Sequence, residues 1–395
     1  MLRKAAKGLA LILAVPFVLL ARLLRPIFTI RFGRLREDRI GHLAMNTEYY
    51  LCRHDEPGGG GTLDLFFYGA AANMQLMLMW SRVLTMSRLV WPAWKLNTLL
   101  PGGKANEVDL PLTNADYERA RDLFTRHAAH LFFTPEEEDR GRRALRMMGV
   151  PQGMPFVCFH ARDAAFLERT SPSKYGYHDY RDSSIKNFLP AARALTSRGY
   201  ALIRMGAVVA EPLDSGDTLV IDYASRHRTE FLDIFLAGKC AFFIAANSGI
   251  ADVAETFRRP QLRTNVTQFF AELLLTGPKD VFITKRVWLE KEERFMSLRE
   301  LVSSPAWEIR CSGQLEALGI KLIENTAEEI LEAATELEER LRGVWRETPE
   351  DLERQRIFWK ILQDAGKLNQ PPVSRIAAGF LRRHPEILEL PASRL

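Results

Sequence analysis

Five short apolar runs recur between Phe156 and Asn265 with helix-length segments between them, and no other feature restricts the fold so strongly. The runs are Phe156–His160, Ala201–Met205, Leu219–Ile221, Phe242–Ala246 and Gln261–Asn265, and helices are expected near Ile185–Arg198, Thr229–Ala237 and Gly249–Phe257. Short apolar strands alternating with helices predict a parallel sheet covered on both faces. In such a sheet, ligands bind outside the carboxyl ends of the strands. The end of each strand is therefore where chemistry is to be sought.

Upstream, Phe28–Leu35 and Leu63–Tyr68 read as strands, followed by helices from Ile40 and over Asn73–Leu84. Thr134-Pro135-Glu136-Glu137 marks a helix start, with Thr as cap, Pro in the first turn and Glu at the capping-box position. That helix should end at Gly149, and the Gly149–Met154 stretch is the expected boundary between two Rossmann-like α/β domains, 31–150 and 151–290. Residues 284–301 read as charged and partly helical. Helices from Asn325 to Arg342 and from Thr348 onward predict a helical extension over 291–395.

The net charge of +5 is concentrated at one end. Residues 1–40 hold nine Lys or Arg against Glu37 and Asp38, which leaves the remainder near neutral at −2. A nucleic-acid-binding body would carry its basic patch on the folded domain, so no nucleic-acid partner is expected. Gly8–Ala21 is uncharged and apolar, and the run resumes after Arg22 and Arg25 as far as Ile30. Residues 1–30 therefore predict a membrane-anchoring helix, monotopic or single-span, with Arg22 and Arg25 reaching lipid phosphates. A signal peptide and a buried helix are the other readings; a clear small-residue cleavage site is lacking. Cys52, Cys158, Cys240 and Cys311 lie far apart with no metal-type pairing, which suits a reducing compartment and the cytoplasmic face of the membrane.

Two strand ends carry most of the chemistry. Phe156–Phe159 runs into His160-Ala161-Arg162-Asp163, and a guanidinium there suits a phosphate through two parallel hydrogen bonds. The plainer readings are an Arg162–Asp163 surface pair and a satisfied His160. Phe242–Ala246 runs through Asn247-Ser248-Gly249 into a helix, where backbone N–H groups and a hydroxyl converge as an anion site, unless Asn247 or Ser248 merely caps the helix. Arg204 and Gly206 end another strand. Asp222 could accept from a ribose or base and Tyr223 could stack, or both close a loop. Tyr180 and Arg181 sit in an aromatic, polar connection of the kind that contacts sugars and bases.

The chain lacks a Walker loop, a GxGxxG after a strand, a nucleophile elbow, a HExxH helix and an Asp-x-Asp metal motif. Nucleotide hydrolysis, dinucleotide redox chemistry, serine hydrolysis and zinc proteolysis lose support accordingly. No cofactor and no metal are expected.

Taken as a set, Arg39-Ile40-Gly41-His42, Phe159 to Asp163, Tyr180-Arg181-Asp182, Ile203 to Gly206, Ile221-Asp222-Tyr223 and Ser248-Gly249 resemble a bacterial glycosyltransferase family of surface-polysaccharide gene clusters. The strand ending in His-x-Arg is also similar, more distantly, to the donor-phosphate motif of fucosyltransferases. The resemblance spans roughly residues 28–290 and implies a two-domain glycosyltransferase of the B type, donor in the second domain and acceptor toward the first. It implies that Arg162 contacts the diphosphate of a nucleotide-sugar donor, beside the Ser248 hydroxyl and the Gly249 backbone. An inverting reaction needs a base on the acceptor side, and His42 is the candidate, with Asp38 and Glu48 behind it. The acceptor expected is a glycan or a lipid-linked one. The rival functions are a nucleotide-sugar epimerase of this architecture and a non-catalytic, membrane-associated glycan assembly protein.

Overall fold

The computed structural model describes residues 2–57, 61–108, 110, 116–163, 165, 176–267, 277–308, 311–369 and 374–388. Helix α1 (Leu2–Leu23) leads into strand β1 (Thr29–Arg34), which is joined by α2 (Ile40–His54) to β2 (Thr62–Phe67). β2 and β3 (Glu107–Val108) flank β1, both parallel to it. α3 (Met74–Trp80), α4 (Trp91–Leu99), α5 (Tyr117–Arg126) and α6 (Pro135–Met147) complete this unit. Thr134 and Glu137 form the expected reciprocal capping box at the start of α6. Gly149, at φ +91°, follows the end of that helix in a conformation costly for any other residue.

The second unit is a seven-stranded sheet in the order β13-β9-β8-β7-β4-β5-β6, every pair parallel. Its strands are β4 (Phe156–His160), β5 (Ala201–Arg204), β6 (Val220–Ile221), β7 (Phe243–Ala245), β8 (Gln261–Val266), β9 (Val281–Thr284) and β13 (Arg375–Ile376). Helices α7 (Leu189–Thr196), α8 (Glu230–Lys239) and α9 (Gly249–Thr256) lie between them. The fold is thus α/β with parallel sheets and an N-terminal apolar helix.

Alternate residues along a strand face opposite ways. Val157 and Phe159 pack with α7, α10 (Ala327–Leu341) and α11 (Pro349–Asp364) in one core. Phe156 and Cys158 face the other side, in a cluster that also holds Leu35, Leu43, Phe66, Leu76 and Trp80 of the first unit. The two units therefore share a hydrophobic core across the boundary at 150.

Two expectations need amending. The stretch 284–301 forms β10 (Arg286–Leu289) and β11 (Arg294–Phe295), which make an antiparallel sheet with β12 (Ile320–Ile323) before a short helix, Leu298–Ser303. The segment beyond 290 is also more than a helical extension. It returns β13 to the edge of the main sheet and buries Ile330, Ala334, Leu337 and Phe358 against it. Three of the cysteines are buried and all four are free thiols.

Candidate active site

A crevice opens in a parallel sheet where two neighbouring strands begin runs in opposite directions. β4 and β7 are such neighbours: β4 leads to β5 and β6 on one side, and β7 leads to β8 and β9 on the other. His160, ending β4, is in register with Ala245, ending β7. Ala161-Arg162-Asp163 and Ala246-Asn247-Ser248 leave the sheet side by side, so the two polar edges expected from the sequence are one place.

Arg162 Nε donates to Asp182 Oδ1 at 3.2 Å. Arg181, at the end of a 3₁₀ turn, donates from Nη2 to the Asn247 carbonyl at 3.2 Å and so bridges the two edges. Burial, and then the Arg181 charge alongside, push the Arg162 pKa below its ordinary value. Burial raises the pKa of Asp182 even against Arg162. The Arg162 guanidinium thus lies beside a second one, Arg181, and its carboxylate partner Asp182 is itself reluctant to ionise, so the locus is left positive.

Three buried polar atoms gather there without a partner among the described residues: Arg181 Nε, Ser183 Oγ and Ser248 Oγ. Ser183 lies against Arg162, its N–H donating to the Arg162 carbonyl at 3.0 Å. Ser248 occupies the cap position of α9 in extended backbone, yet its hydroxyl makes no cap bond, which removes the capping explanation for that residue. Gly249 and Ile250 add the first N–H groups of a helix, which have no intrahelical partner. Buried polar groups are nearly always satisfied. Unsatisfied donors around two guanidiniums are what a multivalent oxyanion satisfies.

Lys285, just beyond β9, holds this arrangement from below. Its Nζ donates to the carbonyls of Tyr180 (3.0 Å) and Asp182 (2.6 Å), fixing the turn that presents Arg181. Tyr180 is itself buried, its N–H bonded to Ser312 Oγ at 3.2 Å.

His160 Nδ1 lies 3.0 Å from the Met205 carbonyl, which can only accept, so Nδ1 carries the proton and Nε2 keeps a lone pair. Burial lowers its pKa, and the neutral ring offers a phosphate no charge. Gly206 lies beside it; a Cβ there would come within 2.7 Å of Val209 Cγ1. Asp163 accepts from the N–H groups of Ala165 and Ala210, both at 3.1 Å, and shapes the loop instead of pairing with Arg162.

The third expected edge is closed. Arg204 Nη1 donates to the Glu211 carbonyl (2.7 Å) and faces Asp222 Oδ1 (3.5 Å), while Asp222 Oδ2 accepts from Leu213 N–H (2.8 Å). The Tyr223 hydroxyl donates to Asp233 Oδ1 (2.8 Å) and accepts from Thr229 N–H (3.1 Å), with the residue wholly buried. Arg204, Asp222 and Tyr223 are therefore corrected from donor contacts to internal ties: their polar groups are already bonded within the protein.

On the acceptor side, Gly41 in α2 abuts Gly249 of α9, and a Cβ on Gly41 would lie 3.0 Å from the Gly249 α-carbon. His42 is the next residue. Burial first, then Arg36 and Arg39, lower its pKa, so it is neutral near pH 7. Asp38 is exposed. Glu48 is not behind His42. Two turns on, it accepts from Arg258 Nη2 (2.6 Å) and His130 Nδ1 (3.2 Å).

Glu48, Cys52 and His130 have metal-ligand spacing. Burial lowers the His130 pKa, but bonds with Cys52, Glu48 and Asp55 outweigh it and push it up to about 10. Glu48 thus already has two basic partners, the His130 ring and the Arg258 guanidinium.

Sequence reasoning passed over Glu37, Ser183 and Lys285. Glu37 is buried in the turn after β1, with Oε1 accepting from Gly69 N–H (2.9 Å) and Oε2 unpartnered among the described residues. An acid directly after a strand was a signal; burial of that acid in place of its exposed neighbour Asp38 was not.

Comparison with solved structures finds similarity to a family 9 glycosyl transferase from Veillonella parvula, at 10% identity and TM-score 0.46 over 79% of this chain and 97% of that one. The E. coli ADP-heptose lipopolysaccharide heptosyltransferase II is similar at 12% identity and TM-score 0.37 (65% of this chain, 90% of that one). An E. coli heptosyltransferase solved with ADP is similar at 9% and 0.33 (65% and 91%). No protein-family model and no curated protein matches the sequence.

Proposed function

We propose that this protein is a glycosyltransferase that takes a sugar from a nucleoside diphosphate donor and passes it to a glycan or lipid-linked acceptor. The observation that carries the reading is the β4–β7 crevice, where Arg162, Arg181, Ser183 and Ser248 offer charge and unsatisfied buried donors at one point. In the reaction the bond from sugar carbon to phosphate oxygen breaks and its electron pair stays with the phosphate. The two guanidiniums, the Ser248 hydroxyl and the α9 N–H groups stabilise that growing charge, which is where preorganised donors accelerate a reaction most. The acceptor oxygen bonds to the sugar carbon and yields its proton to a base on the α2 side.

Two groups there are candidates to take it: the neutral His42 ring and Glu37, whose Oε2 is buried without a partner among the described residues. Glu37 is the stronger candidate, because Gly69 N–H already orients its other oxygen. Replacing it with Gln lowers kcat with little change in donor affinity; unchanged kcat moves the role to His42.

The test of the donor site is a thermal shift of the full chain in detergent against the common nucleoside diphosphates, repeated with Arg162→Ala. Stabilisation by at least one nucleotide, lost in the variant, is expected through mass action. Stabilisation by none of them sinks the reading.

A further inference from the structure

Helix α1 is apolar enough to cross a bilayer, with mean hydropathy 2.0 over Ala6–Leu23, yet it does not stand apart from the body. Ala14, Val18 and Ala21, a stripe of small side chains at helical spacing, are buried against Ala93 and its neighbours on α4. Phe17 packs edge-on to Phe32 of β1, with ring centroids 5.6 Å apart. Arg22 donates to the Pro101 carbonyl at 2.9 Å and to Asn97 Oδ1 at 3.0 Å. Arg25 is bonded to Asn106. The arginines expected to reach lipid phosphates are thus tied into the protein, and Lys7, at the other end of the helix, lies 5.6 Å from the Trp91 ring.

The opposite face is bare. Leu9, Ile12, Leu13, Leu20 and Leu23, on one face of the helix, and Ile27 just beyond it are each half or more exposed. Leu89 and Leu99, flanking α4, are exposed beside them at 87% and 62%. An apolar strip of this extent on a protein surface marks an interaction site.

We infer that α1 and the flanks of α4 form a docking face for an anionic bilayer, with α1 lying in the plane of the membrane instead of crossing it. Charge names the occupant. The first acid in the chain is Glu37, so the whole segment through α1 and β1 carries basic residues alone. Lys7 on α1 and Arg88 and Lys104 on either side of α4 are exposed, and half-buried Trp91 and Trp94 add the amphipathic rings favoured at a bilayer interface. The packing decides the orientation. To span, α1 would have to leave α4 or take Asn97, Asn106 and Lys95 with it into hydrocarbon, where unsatisfied polar groups cost several kcal/mol each. Lying flat, it keeps every one of those bonds and buries its leucines. The inference rests on α1 and α4 and is independent of the donor-site reading.

The test is vesicle flotation of the full chain, comparing phosphatidylglycerol-containing vesicles with pure phosphatidylcholine, at low and high salt. Binding to the anionic vesicles that weakens with salt is expected, and a fall of about tenfold or more in Leu13→Glu/Leu20→Glu, whose side chains touch solvent and not the core. Spin labels at residues 9, 13, 20 and 23, with Cys311 replaced by Ser, read the orientation. All four should sit at one shallow depth, about 5–10 Å below the headgroups. A graded depth running across about 20 Å along the same residues means a spanning helix and overturns the inference. Equal binding to both vesicle types, no binding to either, or a detergent-free soluble dimer broken by the same double variant each overturns it too.

Discussion

The strand ends of β4 and β5 look alike in sequence and are used in opposite ways. One runs into His160-Ala161-Arg162-Asp163 and the other into Arg204-Met205-Gly206, each with a guanidinium at the carboxyl edge of the same sheet. Arg204 meets Asp222 and a backbone carbonyl, and its neighbours Asp222 and Tyr223 are satisfied in turn. Arg162 meets a carboxylate too, Asp182, but a second guanidinium lies beside it and orphaned hydroxyls are near. A residue type at a strand end therefore states what an edge could bind, and the surrounding charge count states whether it is still able to.

The contrast breaks most visibly at Arg204. Arg204→Ala strands the buried Asp222 carboxylate and should cost about 3–5 kcal/mol of stability, read by denaturant unfolding, with nucleotide affinity per folded molecule unchanged. Arg162→Ala should do the reverse. It relieves repulsion from Arg181 but takes away the partner of the partly exposed Asp182, so the unliganded protein should lose no more than about 1 kcal/mol of stability, while nucleoside diphosphate affinity measured by calorimetry falls by about 2–3 kcal/mol, or 30- to 150-fold. An Arg162→Ala protein that unfolds like the Arg204 variant would erase the distinction between the two edges.

The closed edge also has a pH signature. Asp233, beneath Tyr223, is pushed up by burial to about 6, against the bonds from Arg228 and Tyr223. The folded chain then holds that proton between pH 3.8 and about 6 while the unfolded chain has lost it. This contribution to stability is complete below 3.8 and lost as pH rises through 6. Asp233→Asn should flatten that part of the pH–stability profile, and an unchanged slope would mean the group titrates normally. Smallest of all is Ser248→Ala. With no cap bond to lose, stability should shift by less than about 0.5 kcal/mol, where an ordinary cap costs about 1, while nucleotide affinity drops about threefold to tenfold.

The main strands were legible because apolar runs between helix-length segments leave few alternatives. β13 was not: Arg375-Ile376 is two residues, and only the exposed edge of β9 makes them a strand. β10 and β11 hid behind their charges, since Arg286 and Arg294 read as a helical surface when counted without their pairing strands. At the site, Arg162 and Ser248 could be named from strand ends. Their adjacency could not, because β4 and β7 are separated by two strands in sequence and by none in the sheet. The burial of Glu37 and the reach of Lys285 to Tyr180 are likewise properties of the packed chain.

The contact of Gly41 with Gly249 has a bearing on how far the units can part. Two helix starts meet with nothing but hydrogen between their α-carbons, and behind them the units share a continuous core, joined further along by the Glu48–Arg258 pair. Swinging the halves apart would tear that seam. The spacing of α2 and α9 is thus fixed by the same packing that folds the chain, and widening it would expose the shared core.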